Sequence, residues 1–335
     1  MTATRPLTLD FHGCVLELRS SNLDLLDCLA ADFSAFSAPA DAAPEIFITA
    51  EIGVPGPGLP AALLKTKKWH ILSSPPGRRA VWYPEGALCH YDYHRRRGTI
   101  TSPHADVLKE LTYLLILSRA GEALDGRGLH RLHAGALGLG GKALLFCGAQ
   151  GAGKTTLIME LLKDRDFSLL SDDTPLISGD GTVYGFPARI GLGEDSPHLP
   201  AFARLRGFKR RHYPPKRLLD IGGSGLRLSP PLPPAFIFRL SRSGRPAFRR
   251  PAPGAAAREL AVSLVAGCGV PQMAEYFLRL SPLDMARKAK ILASRFRAAR
   301  ALLRTASFRI FETGPDHAEN AAALKAFLRS GSGAA

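Results

Sequence analysis

The chain has 335 residues, 46% hydrophobic and 22% charged, which suits about two folded domains and excludes an intrinsically disordered protein. Its formal charge of +15 favours phosphorylated or acidic partners, yet there is no zinc-finger spacing, no zipper and no run of aromatics between basic residues, so no specific nucleic-acid partner is expected. Cysteines at 14, 28, 89, 147 and 268 form no CxxC, which speaks against a disulfide framework or structural zinc; Met1–Pro6 leads into no apolar signal core and no apolar run nears a membrane span, so a cytoplasmic protein without membrane contact is expected.

In chain order, residues 7–19 alternate around His12-Gly13 and predict a β-hairpin. Asn22–Phe36 carries helical spacing, and Ile46–Ile52 and Lys68–Leu72 read as strands. Ala80–Tyr83 and Ala87–Tyr93 flank a Pro84-Glu85-Gly86 turn. His104–Leu124 predicts a helix, started by Ser102-Pro103 and stopped by Gly126. Residues 1–125 therefore form a predicted α+β domain with no motif that suggests chemistry, suited to recognition, docking or structural support.

Glycines at 126 and 128 mark the expected boundary, with a second domain over 126–335. Leu129–Leu139 leads to a Gly140-Gly141-Lys142 turn and an apolar strand at Ala143–Cys147. A helix is predicted through Leu162, then a strand at Phe167–Leu170 ending in Ser171-Asp172-Asp173, and another at Thr182–Phe186. Arg204–Arg217 holds seven Lys and Arg residues and no acid, and is a candidate loop for closing over an acidic acceptor. Phe236–Leu240 reads as a late strand, and Pro282–Leu303 and Asp316–Leu328 as helices. The alternation after residue 143 indicates an α/β domain.

Gly148-Ala149-Gln150-Gly151-Ala152-Gly153-Lys154-Thr155 matches GxxxxGK[ST], the P-loop pattern. Glycines let the backbone curl so that its N–H groups face phosphate oxygens, Lys154 reaches the terminal phosphates, and the Thr155 hydroxyl helps hold Mg²⁺. Thr156 is counted with the nucleotide-binding residues. The predicted helix that starts here adds its positive dipole end. The pattern therefore predicts ATP or GTP with Mg²⁺ as the bound species. Asp172-Asp173 follows the next strand, where ligands bind in open α/β sheets. Two adjacent carboxylates permit a division of labour between metal and proton. His133, alone on a strand, reads as a hydrogen-bonded structural residue.

Leu132-His133-Ala134-Gly135, a hairpin, Gly148–Thr155 and Leu169-Leu170-Ser171-Asp172-Asp173 together resemble the catalytic domain of HPr kinase/phosphorylase. They are more similar still to the shorter HPr-kinase-like proteins, some of which occur with bacterial peptide-modification pathways. The resemblance covers roughly residues 129–190, is weak over Gly314–Asn320, and does not extend to the first 125 residues. It implies a P-loop kinase domain of the HPr kinase / phosphoenolpyruvate carboxykinase type. It implies Asp172 as the base for a serine hydroxyl and Asp173 on the metal side with Thr155, with the two roles exchangeable, and it makes His133 an active-site residue. The family's metal-binding Glu before an Ile-Arg-Gly-Leu-Gly stretch has no counterpart in Gly185–Gly193, where Arg189 and the glycines remain. The expected function is an ATP-dependent kinase acting on a hydroxyl of a protein or peptide; the family's oligomers are not carried over to this chain, and a homo-oligomer is left open. A small-molecule hydroxyl kinase, or a nucleotide-binding accessory protein that transfers no phosphate, are the alternatives.

Overall fold

The computed structural model describes residues 6–39, 41–149, 151–199, 205–267 and 282–330. It is a mixed α/β protein whose larger sheets combine parallel and antiparallel pairs. The chain divides into two compact units, one of Met1–Leu124 with Phe208–Lys216, the other of Asp125–Gly207 with Arg217–Ala335.

The first unit is built on eight strands: β1 (Pro6–Phe11), β2 (Cys14–Arg19), β3 (Ile46–Ile52), β4 (Ala62–Lys65), β5 (His70–Leu72), β6 (Arg78–Tyr83), β7 (Ala87–Asp92) and β8 (Arg97–Ser102), in the order 1-2-3-8-7-6-5-4. The β1–β2 hairpin closes on His12 (φ 52°) and Gly13 (φ 83°), two left-handed residues whose twist matches that of the strands. Alternate residues of β2, such as Leu16 and Leu18, are fully buried, which fixes the register. Helix α1 (Leu23–Asp32) is capped by the Asn22 side chain, which accepts from the Leu25 N–H. The predicted helix over 22–36 thus ends four residues early, in a 3-10 turn at Ser34–Phe36. Helix α2 (Ala105–Gly126) lies over β7 and β8; a Cβ on Gly98 would come within 2.9 Å of the Tyr91 ring and 3.2 Å of Leu115.

Residues Phe208–Lys216 belong to this unit through Arg211. Its backbone N–H donates to Glu110 at 3.0 Å, its guanidinium lies 3.4 Å from Glu85, and it stacks over Tyr83. Arg206 in turn is paired with Asp220. Arg206 and Arg211 of the basic stretch are therefore committed to carboxylates within the fold, while Arg204 lies outside the described residues. The acids are distant from Arg211 in sequence, which is why the stretch reads as unpaired.

In the second unit β9 (His130–Arg131) precedes the hairpin β10 (Gly135–Leu139) and β11 (Lys142–Cys147). The main sheet runs β12-β10-β11-β18-β20-β19, with β12 (Phe167–Ser171), β18 (Pro234–Arg242), β19 (Ala247–Arg249) and β20 (Ser307–Thr313). The strands β11, β18 and β20 are parallel. Short strands form two small side sheets, one of β14 (Val183–Tyr184), β13 (Leu176–Ile177) and β9, the other of β15 (Ile190–Leu192), β17 (Lys216–Leu219) and β16 (Arg206–Phe208).

Strand β11 reads as an unbroken apolar run because both its faces are covered. Leu144 and Phe146 join a cluster with Leu157, Ile158 and Leu161 of helix α3 (Lys154–Leu161). Leu145 and Cys147 face the other way, toward Leu260 of α4 (Ala255–Leu260) and Ala298 and Leu302 of α5 (Pro282–Thr305). Helix α6 (His317–Arg329) closes the first face, its Phe327 ring stacked 4.2 Å from Phe248. Each such buried Leu or Phe is stabilising by about 1.5–3 kcal/mol.

Candidate functional site

Strands β11 and β12 are each antiparallel to β10, so both end at the same edge of the sheet. That edge receives the turn 148–153 from β11 and the dipeptide Asp172-Asp173 from β12. It is the carboxyl edge of the parallel strands, where open α/β sheets leave room for ligands.

Gly148, Gly151 and Gly153 have φ of 148°, 82° and 88°. Only glycine reaches such values without strain. At Gly148 space is also lacking, since a Cβ would lie 3.2 Å from Ala152 Cβ and 3.3 Å from the Leu240 carbonyl. Gly153 is the N-cap of α3 and supplies no capping side chain, so the first-turn N–H groups have none to bond. Lys154 is buried, and its Nζ donates to the carbonyls of Gly148 at 2.8 Å and Ala149 at 3.3 Å. The lysine therefore bridges the loop across its own mouth. Gln150 lies outside the described residues; Ala152 packs at the edge of the α3 cluster.

Thr155 Oγ1 donates to Asp172 Oδ2 at 3.2 Å. The turn after β12 is pinned by Ser171, whose Oγ donates to the Phe186 carbonyl and accepts from the Thr174 N–H. The Ala134 N–H donates to the Asp173 carbonyl at 3.0 Å, which lays Leu132–Gly135 against the carboxylates. Gly135 has a steric reason: a Cβ would fall 2.2 Å from Ile158 Cδ1 and 3.2 Å from the Asp172 carbonyl. Beside it the buried His133 Nδ1 lies 3.3 Å from Asp173 Oδ1, and the Asp173 side chain is 61% exposed. The structure thus brings together Lys154 with Gly148 and Ala149, Thr155 with Asp172, and His133 with Asp173. Thr156, in the first turn of α3, is half-buried.

Two residues at this edge were not singled out in the sequence. Arg242, at the end of β18, donates through Nη2 to the Gly151 carbonyl at 2.7 Å. Glu259 of α4 lies 3.5 Å from Arg239 and helps to raise the pKa of Cys147. Burial is the main cause there, and it pushes the Cys147 thiol to about 12, which leaves it inert as a nucleophile. Arg242 carries a signal only once β18 is known to run parallel beside β11.

Among the described residues no group of three or more His, Cys, Asp and Glu side chains is placed to hold a metal ion by itself. The Thr155–Asp172 pair suits a different arrangement. Mg²⁺ is usually held by one or two protein oxygens plus substrate phosphates, and adjacent oxygens of its octahedral shell stand about 3 Å apart. The 3.2 Å between Thr155 Oγ1 and Asp172 Oδ2 fits two such neighbouring positions.

No protein-family model matches the chain, and no curated protein matches it. No helix among the described residues is long and apolar enough to cross a membrane.

Proposed function

We propose that the protein is a Mg²⁺-dependent phosphotransferase of the HPr-kinase-like, P-loop type, which moves the γ-phosphoryl group of ATP or GTP to a hydroxyl, a serine of a protein or peptide by preference. The observation that carries the reading is the contact of Thr155 with Asp172 beside the glycine loop that Lys154 spans. Phosphate oxygens would displace the Gly148 and Ala149 carbonyls as partners of Lys154 Nζ. Bound Mg²⁺ would neutralise charge on the phosphates, with Thr155 and Asp172 as its protein oxygens.

The geometry favours the exchanged carboxylate roles. Asp172 touches the metal-side hydroxyl of Thr155, whereas Asp173 is exposed beside His133. In the proposed step the acceptor oxygen attacks the γ-phosphorus as the bond to the leaving diphosphate breaks. The hydroxyl proton passes to Asp173, and the imidazole of His133 provides its onward route.

The test is transfer of label from γ-labelled ATP to a serine-containing peptide library, with and without Mg²⁺, beside a library bearing alanine in place of serine. Label on the serine peptides that needs both Mg²⁺ and Lys154 supports the reading. Mg²⁺-dependent nucleotide binding with label released only as free phosphate would favour the nucleotide-binding accessory role.

A further inference from the structure

Helix α5 carries two apolar faces, and only one is covered. Ile291, Ala298, Ala299 and Leu302 point into the core. Met285, Leu292, Phe296 and Leu303 stand in solvent, 52%, 47%, 56% and 40% exposed. Ala289 is exposed on the same line. The steps from Met285 through Ala289, Leu292 and Phe296 to Leu303 keep a heptad register, whose remaining position, Ala299, is buried where the seam borders the core face. At about 100° per residue these five positions fall within an arc of about 60°. That is a coiled-coil seam, narrower than the stripe of about 100° with which a helix faces a core.

Charge runs beside the seam. Lys290, Arg297, Arg300 and Arg304 are exposed, and Asp284 at the helix start is the one acid in its 24 residues. We propose that this seam docks an acidic amphipathic helix belonging to a protein partner. Its apolar residues would lie on Leu292, Phe296 and their neighbours, and its Asp and Glu flank would face the four cations. The proposal goes beyond the phosphotransferase reading and does not rest on it. A second copy of this chain fits poorly, because both rows of cations would meet with no acid between them. A lipid surface fits poorly too, because interfacial helices insert a broad apolar face and here the ridge is narrow.

The experiment uses the full chain and a fluorescent peptide of about three heptads, with Leu at the a and d positions and Glu at e and g. A scrambled peptide of the same composition and a version with Lys for Glu serve as controls. Fluorescence anisotropy should show the patterned acidic peptide binding and both controls binding at least about tenfold more weakly. The double variant Leu292→Ser/Phe296→Ser should weaken the acidic peptide about tenfold or more. The triple variant Arg297→Glu/Arg300→Glu/Arg304→Glu should instead prefer the Lys peptide; it leaves the seam untouched and tests the charge separately. Unchanged melting temperatures certify both variants as folded, and all positions are exposed. Equal binding of patterned and scrambled peptides, or none, overturns the proposal. So does association of the wild type with phosphatidylserine vesicles, or a dimer in sedimentation velocity, that the double variant abolishes.

Discussion

The Thr155 hydroxyl donates to Asp172 across 3.2 Å, joining the first turn of α3 to the end of β12. If the pair serves Mg²⁺ as two neighbouring oxygens, Asp172→Asn should raise the Mg²⁺ concentration needed for half-maximal activity by about tenfold or more. Asp173→Asn should leave nucleotide affinity within about twofold and lower kcat by about a hundredfold or more, as expected for loss of a general base. Titrating Mg²⁺ against initial rate in both variants checks the assignment. The opposite pattern would restore Asp172 as the base.

Lys154→Ala should abolish the rise in melting temperature that millimolar MgATP or MgGTP gives the wild type. A ligand that binds only the folded state stabilises it by about 2.7 kcal/mol at a hundred times its Kd. Lys154 Nζ holds two loop carbonyls in the free protein, so the variant alone should also melt slightly lower. A wild type whose melting curve ignores nucleotide would remove the basis for any nucleotide site.

How far this site can be read from sequence depends on how its parts are joined. Residues 148–155 are contiguous, and their chemistry is legible because glycine, lysine and threonine act at fixed offsets. His133 is legible only by resemblance, since its approach to Asp173 comes from the antiparallel β10–β12 pairing, which sets the residues before β10 beside the turn after β12. Arg242 meets Gly151 across 91 residues, and no local pattern announces a parallel neighbour. Fold elements fail for local reasons. Strand β8 reads Arg-Gly-Thr-Ile-Thr-Ser and offers almost no apolar alternation, because the Tyr91 ring occupies the space a side chain at Gly98 would fill. Strand β20 lies between β18 and β19 yet carries no strand signal in the sequence, because Arg309 and Glu312 interrupt its apolar residues. The strand expected over Thr182–Phe186 shrinks to Val183–Tyr184, because the Phe186 N–H is drawn to the Leu170 carbonyl.

Arg242→Ala should weaken nucleotide binding several-fold without changing the stability of the free protein. The side chain is exposed, and surface substitutions usually shift stability by no more than about 0.5 kcal/mol. Its bond to the Gly151 carbonyl orients the loop that would receive the phosphates. Arg242→Lys should recover only part of the affinity, since a point charge cannot reproduce the directed guanidinium donor. Calorimetric titration with MgATP checks both; equal affinity in all three proteins would show the contact to be idle.

Asp125 is buried at the end of α2, where Oδ2 accepts from Arg295 Nη2 at 2.7 Å and Oδ1 lies 2.9 Å from His130 Nδ1. His130 Nε2 is in turn 2.8 Å from Ser294 Oγ, and Arg295 also donates to the Leu264 and Val265 carbonyls. The network ties Asp125 and β9 to α5. Burial alone would raise the Asp125 pKa, but the His130 hydrogen bond and the charges of Arg295 and Arg131 outweigh it and hold the carboxyl below its usual range. A carboxylate depressed in the folded state adds stability that is present above its unfolded value of about 3.9 and is lost as pH falls through the lower folded value. Asp125→Ala should cost about 3–5 kcal/mol at neutral pH, because it strands the buried Arg295 charge. Asp125→Asn keeps the shape but cannot ionise, so its stability should fall less steeply than that of the wild type below about pH 4. Urea midpoints measured from pH 7 down into the acid limb decide the matter; an Asp125→Asn curve that runs parallel to the wild type throughout would mean that Asp125 contributes no such linkage.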